Sequence, residues 1–282
     1  NGIMEHSYET GVNKKMVFFR MLHSDFSRMV KSWKFYLAIA FIAVLTFLSI
    51  YPEAAGSGGN CSVYYLVNAR GGVSAFLVTN TILVVLPFAL SYWEDVQKNY
   101  INCILPRVHS SVYSFSHVLM TAFGGFLAVF LGYSLCFGLM ALRLPLITSD
   151  EVKALTETMS LMGYDSLLLH APMLYFGAVF ATEALGYAFL AVCALTASAR
   201  VTNVFVVLSI PILVYYGSTL LCNAWNLPGI FYWFYIMASG GVLRTIQNPA
   251  RLLLCVFCYF NGLILVLALV FQLELEKKRK HG

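Results

Sequence analysis

Six apolar runs, separated by short polar stretches, organise the chain. They cover residues 35–51, 73–93, 116–142, 171–195, 204–221 and 252–273. A helix needs about 20 mostly apolar residues to cross a bilayer. The first run reaches that length with Trp33 at the interface, and the third is long enough to tilt or protrude. A membrane barrel would instead show alternating strands of about ten residues. The pattern predicts an all-α integral membrane protein with six transmembrane helices, spanning residues 35–273.

The stretches around these runs carry patterns of their own. Before the first run, Phe19, Leu22, Phe26, Met29 or Val30, and Trp33 recur at three- and four-residue steps. Lys15, Arg20, His23, Ser27, Arg28, Lys31 and Lys34 fall mostly elsewhere. This predicts an amphipathic elbow helix at 14–34, lying in the membrane interface. Between runs two and three, Val96, Tyr100, Ile101, Ile104 and Leu105 form a helical stripe. Glu94 and Asp95 suit the positive end of that helix, and Pro106 stops it. A helix is therefore expected at 94–106, with an apolar face fit for docking to another protein. Between runs three and four, Thr148 and Glu151 have the spacing of a capping box. Val152, Leu155, Met159 and Met162 continue it as an outer interfacial helix at 149–163. Between runs five and six, 230–238 is apolar and aromatic but too short to cross. Ser239-Gly240-Gly241 breaks it, so 225–245 is expected to be a re-entrant segment whose backbone protein must cover.

Composition narrows the class. The chain is 60% hydrophobic and 11% charged, with a mean hydropathy of +0.76, whereas soluble domains carry about 25% charged residues. That excludes a soluble enzyme, a nucleic-acid binder and a disordered scaffold. The net charge of +5 becomes a topology signal. Thirteen of the eighteen Lys and Arg residues lie before run one, in the 94–107 connector, at Arg200, or in the basic tail at 274–282. Arg70, Arg143, Lys153, Arg244 and Arg251 fall in the alternate loops. The positive-inside rule then puts both termini in the cytoplasm of a multi-pass cell-membrane protein, of the bacterial plasma-membrane type. Residues 1–13 read as a tail or cloning remnant, with Met4 and Met16 both candidate starts, and no cleavable signal peptide is expected.

Few side chains suggest chemistry. Glu183 is the one acid well inside a run. An ionisable group there is costly, so it either lines a substrate path or is a packing residue bonded to a neighbouring hydroxyl. Tyr215 and Tyr216, close to Pro211, are further candidates for the path. Cys255 and Cys258 read as small apolar core residues. Cys61 and Cys222 both fall on the outer side, which leaves a disulfide between them open. His117 and His170 sit near opposite span ends, read as interfacial anchors, and cannot share a metal. No GxxxxGK[ST], HExxH or GxSxG pattern occurs, so no catalytic or metal-binding residue is assigned. Gly56-Ser57-Gly58-Gly59 reads as a flexible turn.

Together, the elbow helix, the six spans, the cytoplasmic helix between spans two and three, and the broken segment before the last span resemble the permease subunit of a type-2 ATP-binding-cassette (ABC) exporter. The local match is Glu94, then Ile104-Leu105-Pro106-Arg107, then Tyr113 and Ser116. Lys98 stands where such permeases commonly carry Gly, and His117 where Lys is common. The resemblance implies a transport subunit with no catalysis and no cofactor of its own, moving a substrate outward on ATP hydrolysed by a separate subunit. Two permeases, identical or different, would pair in the lipid bilayer above two cytoplasmic ATPases that hold the ATP and Mg. Coupling to the ATPase would fall to Glu94, Asp95, Val96, Tyr100, Ile101, Ile104, Leu105 and Arg107. A secondary transporter would need repeated halves and more intramembrane charge. An intramembrane hydrolase would need a nucleophile and base at one depth. The substrate is not readable from the sequence.

Overall fold

The computed structural model describes residues 2–56, 61–69, 74–98, 100–101, 108–157, 163–201 and 203–281. For 2–15, 74–77, 156–157, 239 and 279–281 it describes the backbone alone. Among the described residues every regular element is helical. In chain order they are α1 (Gly2–Lys31), α2 (Trp33–Gly56), α3 (Val63–Ala69), α4 (Ser74–Leu83), α5 (Ser91–Gln97), α6 (Ser110–Ala141), α7 (Ser149–Glu157), α8 (Asp165–His170), α9 (Pro172–Ser198), α10 (Val204–Ala224), α11 (Trp233–Ser239) and α12 (Pro249–His281). Three-residue-per-turn segments at Gly229–Phe231 and Gly241–Thr245 flank α11.

Five helices are long and apolar enough to cross a bilayer: α2, α6, α9, α10 and α12. This supports a multi-pass, all-α membrane protein. The second predicted run differs. It is not one continuous helix but α4 and α5, joined by turns over 84–90. Pro87 has no N–H to give to Leu83. Val85 instead bonds Ile82 at 3.1 Å and Leu86 bonds Leu83 at 3.2 Å, both one residue tighter than the α pattern. The stretch is almost wholly buried, so its irregular backbone is covered by protein.

Local signals set most of the helix ends. Thr148 and Glu151 form the expected box: the Thr148 N–H donates to the Glu151 carboxylate at 2.7 Å, and the Glu151 N–H donates to Thr148 Oγ1 at 3.4 Å. Asn203 Oδ1 accepts from the Phe205 N–H at the start of α10, and Asn248 Oδ1 caps α12. Pro172 opens α9 in the first turn, where its missing donor costs nothing. The elbow helix is longer than 14–34. It begins at Gly2 and stops at Lys31, with Ser32 separating it from α2. Its stripe is split: Met29 is buried and Leu22 packs beside it, while Phe19, Phe26 and Trp33 remain exposed.

The bundle is organised around α9, whose spanning window is 89% buried against 11% for α10 and 17% for α12. It packs on α6, α12, α10 and α11. Small residues allow the close approach, as is usual between membrane helices. A β-carbon at Gly125 of α6 would lie 3.1 Å from Ala191 and from Val84. Met237 of α11 presses so closely on Gly186 of α9 that a side chain there would overlap it.

One open cysteine question is closed and one expectation is corrected. Cys61 and Cys222 are both free thiols, each buried in its own surroundings. Cys255 and Cys258 are exposed rather than core, because they fall on the outward face of α12.

Candidate functional site

Two polar features interrupt the apolar interior. The first is a cluster where α1, α5 and α6 meet. Asp25 of α1 is 1% exposed, Asp95 of α5 is 2% and His117 of α6 is 0%. Arg28, one turn after Asp25, forks onto Asp95: Nη2 donates to Oδ1 at 2.8 Å and Nη1 to Oδ2 at 3.3 Å. Two-pronged pairs of this kind fix orientation as well as charge. The Tyr113 hydroxyl donates to Asp95 Oδ2 at 3.2 Å, and the Ser116 hydroxyl donates to Asp25 Oδ2 at 2.7 Å.

His117 lies between the two carboxylates. Its Nδ1 is 3.1 Å from Asp25 and its Nε2 is 3.4 Å from Asp95, close enough for charge pairing but off the line of a good hydrogen bond. Its ring stacks on Tyr113, with centroids 4.1 Å apart. Two carboxylates face one guanidinium, so the cluster is neutral when His117 carries both ring protons. Burial pushes the Asp95 carboxyl up, but its interactions with His117 and Arg28 outweigh this and hold it below the ordinary value. Burial likewise lowers Arg28, and Asp95 and Asp25 more than offset it. At the rim, Lys34 pairs with Glu94. The arrangement locks three elements together: α1, the start of the connector between α5 and α6, and the first turns of α6.

The structure therefore places two predicted coupling residues, Glu94 and Asp95, in ion pairs. Val96 and Ile101 are half-buried against the core, and Tyr100 is exposed. Ile104, Leu105 and Arg107 lie outside the described residues, as do 99 and 102–106 of the predicted 94–106 helix. His117 is corrected from an interfacial anchor to the centre of the cluster. Asp25 was not expected at all. Its signal was its position, three residues after Leu22 and four before Met29, on the apolar face.

The second feature is a cavity of about 370 Å³. Its walls come from α2 (Thr46, Ser49), α4 (Asn80), α6 (Tyr133), α9 (Tyr175, Glu183), α10 (Tyr215) and the segment from α11 to Arg244. Glu183 is buried and lies about 16 Å along α9 from Pro172, at 1.5 Å per residue. It interacts electrostatically with Tyr187 and Tyr215. Nearer the α9 N-terminus, Arg244 pairs with Asp165 at 3.0 Å. The Tyr164 hydroxyl shares a 2.7 Å hydrogen bond with Thr182. Of the residues expected on a substrate path, Glu183 and Tyr215 line this cavity together. Tyr216 stacks edge-on against Tyr215 but is not part of the wall.

Sequence reasoning did not link Asp165, Arg244 and Asn80 to Glu183, because they come from four separate elements. Among the described residues, no group of three His, Cys, Asp or Glu side chains is placed to hold a metal ion. Neither protein-family models, curated proteins nor solved structures give a match to this chain.

Proposed function

We propose that this chain is the membrane permease of an ABC exporter, embedded in the cell membrane with both termini in the cytoplasm. It moves a substrate across the bilayer on ATP hydrolysed by a separate subunit, and carries no catalysis of its own. Six spans, with the 73–93 run as the irregular second, a re-entrant 225–245 and a paired second permease complete this reading. One observation carries it: the Asp25–Arg28–Asp95–His117 cluster ties the elbow helix and the foot of α6 to the start of the connector on which an ATPase would press. Coupling two distant sites needs a firm element that both can bias, and a buried ion network between three helices supplies that firmness. The cavity at Glu183 and Tyr215 serves as the substrate path.

Co-expression with an ATP-binding-cassette ATPase encoded beside this chain's gene tests the proposal. The two should co-purify, and the chain should alter the ATPase rate. Tyr100→Glu, at a side chain that is exposed, should abolish both effects while leaving the chain folded. ATPase binding that survives this change would overturn it. Glu183 in a polar cavity also favours a second reading, an ion-driven secondary transporter. That reading predicts gradient-driven uptake by the chain reconstituted alone.

A further inference from the structure

A second cavity, of about 1040 Å³, shares no wall residue with the first. It lies where α1, α6, α9 and α12 come together. At one end α6 and α12 touch: Ser114 Oγ donates to the Ala268 carbonyl at 3.5 Å, and Gln272 Nε2 donates to Ser111 Oγ at 2.9 Å. Beyond that contact the two helices part. Phe123 of α6 and Leu254 and Phe257 of α12 then form the walls, and the buried Leu185 and Ala188 of α9 form the floor. All three wall side chains are exposed, so the cavity is a groove that opens sideways from a membrane-spanning bundle. Its lining is apolar except for His23 and Asn261, and the Asn261 amide donates to its own helix, at the Phe257 carbonyl, 2.8 Å away.

α1 closes one edge of the groove with Phe19 and with Phe26, whose ring lies 6.4 Å from that of Phe123. At 3.6 residues per turn, Arg20, His23, Ser24 and Ser27 share the flank of α1 beside those rings, away from the buried Met29. Arg20, His23 and Ser24 are exposed. Further along the helix, Arg28 is neutralised by Asp95 and Lys34 by Glu94. Arg20 has no carboxylate partner among the described residues.

The occupant must therefore be apolar along the groove and anionic at its α1 edge. A basic helix with an aromatic face lies in the membrane interface, where its cations meet headgroups. A guanidinium binds phosphate through two parallel hydrogen bonds, and a serine hydroxyl and an imidazole N–H add donors. Anionic lipids are attracted to such cations, whereas a zwitterionic headgroup brings a positive charge along with its phosphate. We propose that the groove holds one anionic phospholipid, its phosphate on Arg20, His23 and Ser24 and its acyl chains along Phe26, Phe123 and Phe257. This rests on the membrane-spanning fold and not on the ABC reading.

The test releases the purified full chain from micelles containing equal parts phosphatidylglycerol and phosphatidylcholine with the same acyl chains, and weighs the retained lipid by native mass spectrometry. One phosphatidylglycerol per chain should be retained, about fivefold more often than phosphatidylcholine, the preference that one interfacial Arg supplies. Arg20→Gln should bring the two lipids to parity. Lys31→Gln removes the same charge from the same helix about 16 Å away and should keep the preference. Leu254→Trp fills the groove and should lose the retained lipid. All three positions are exposed, so the variants should fold. Equal retention of the two lipids by the natural chain, a preference that survives Arg20→Gln, a preference abolished by Lys31→Gln, or retention unchanged in Leu254→Trp would each overturn the proposal. So would a lipid-free dimer that Leu254→Trp separates, because a second copy of the chain would then fill the groove. No ATPase is present, so loss of ATPase capture in the earlier experiment leaves this result standing. Failure here with the ATPase still captured removes the lipid site alone.

Discussion

Asp25, Asp95 and His117 are almost wholly out of contact with water, so their energetics are those of buried ions. Removing one partner of such a group costs about 3–5 kcal/mol, because the remaining charge is left uncompensated. His117→Ala is expected to cost that much, read as a lower unfolding midpoint in detergent. Lys34→Ala breaks a pair in which both groups meet solvent and should cost under about 1 kcal/mol. Similar losses from the two variants would show that the buried cluster is not held by charge. Acid should act through Asp95. Its folded pKa is depressed, so its contribution is complete above the unfolded value of about 3.9 and disappears as pH falls through the lower folded value. Asp95→Asn should therefore be less stable than the natural protein at neutral pH and converge with it on acidification. A gap constant with pH would contradict this. At this scale the sequence was partly readable. Glu94 and Asp95 stood out as charges at a span end. The role of His117 did not, because its two carboxylates come from other helices and no local pattern reports them.

Packing between helices follows a different logic, because whole faces must match. Gly186 is the point where Met237 of α11 lies against α9, and the contact involves atoms close to the Met237 backbone. Gly186→Ala is therefore expected to overpack the contact and destabilise by about 1–3 kcal/mol. Gly217 of α10 faces open space. Ala there should be neutral or stabilising by up to about 1 kcal/mol through helix propensity. Thermal unfolding of the two variants compares them directly, and equal effects would refute the packing account. Elements with local causes were legible. The Thr148 box, the Asn203 cap and the stop after α11 at Gly240, whose φ of 78° suits glycine, can be read from neighbouring residues. The interruption at 84–90 was not legible. The run is continuously apolar, and a proline in such a run is compatible with either a kink or a break.

For the molecule as a whole, the presence of five of the long helices was readable because bilayer thickness sets a minimum length, while their ends were not: α12 runs Pro249–His281 where 252–273 was expected. Which helix is central was not, because α9 and α10 are similarly apolar and differ only in how deeply they are buried. The irregular stretch between α4 and α5 also bears on biogenesis. Polar backbone groups facing lipid cost several kcal/mol each, so 74–97 is a poor candidate for leaving the translocation machinery by itself. Its cover comes from later in the chain: Pro87 and Phe88 lie against Gly124, and Val84 lies against Gly125, both on α6. A chain truncated after residue 101 should leave 74–97 uninserted in a glycosylation-mapping assay, while one extended through α6 and α9 should insert it. Insertion of the short version would show that the stretch needs no cover. On this account the second hydrophobic segment is made early and settles late. The order of synthesis and the order of membrane integration then differ, and chaperones or proteases can act on the segment during that interval.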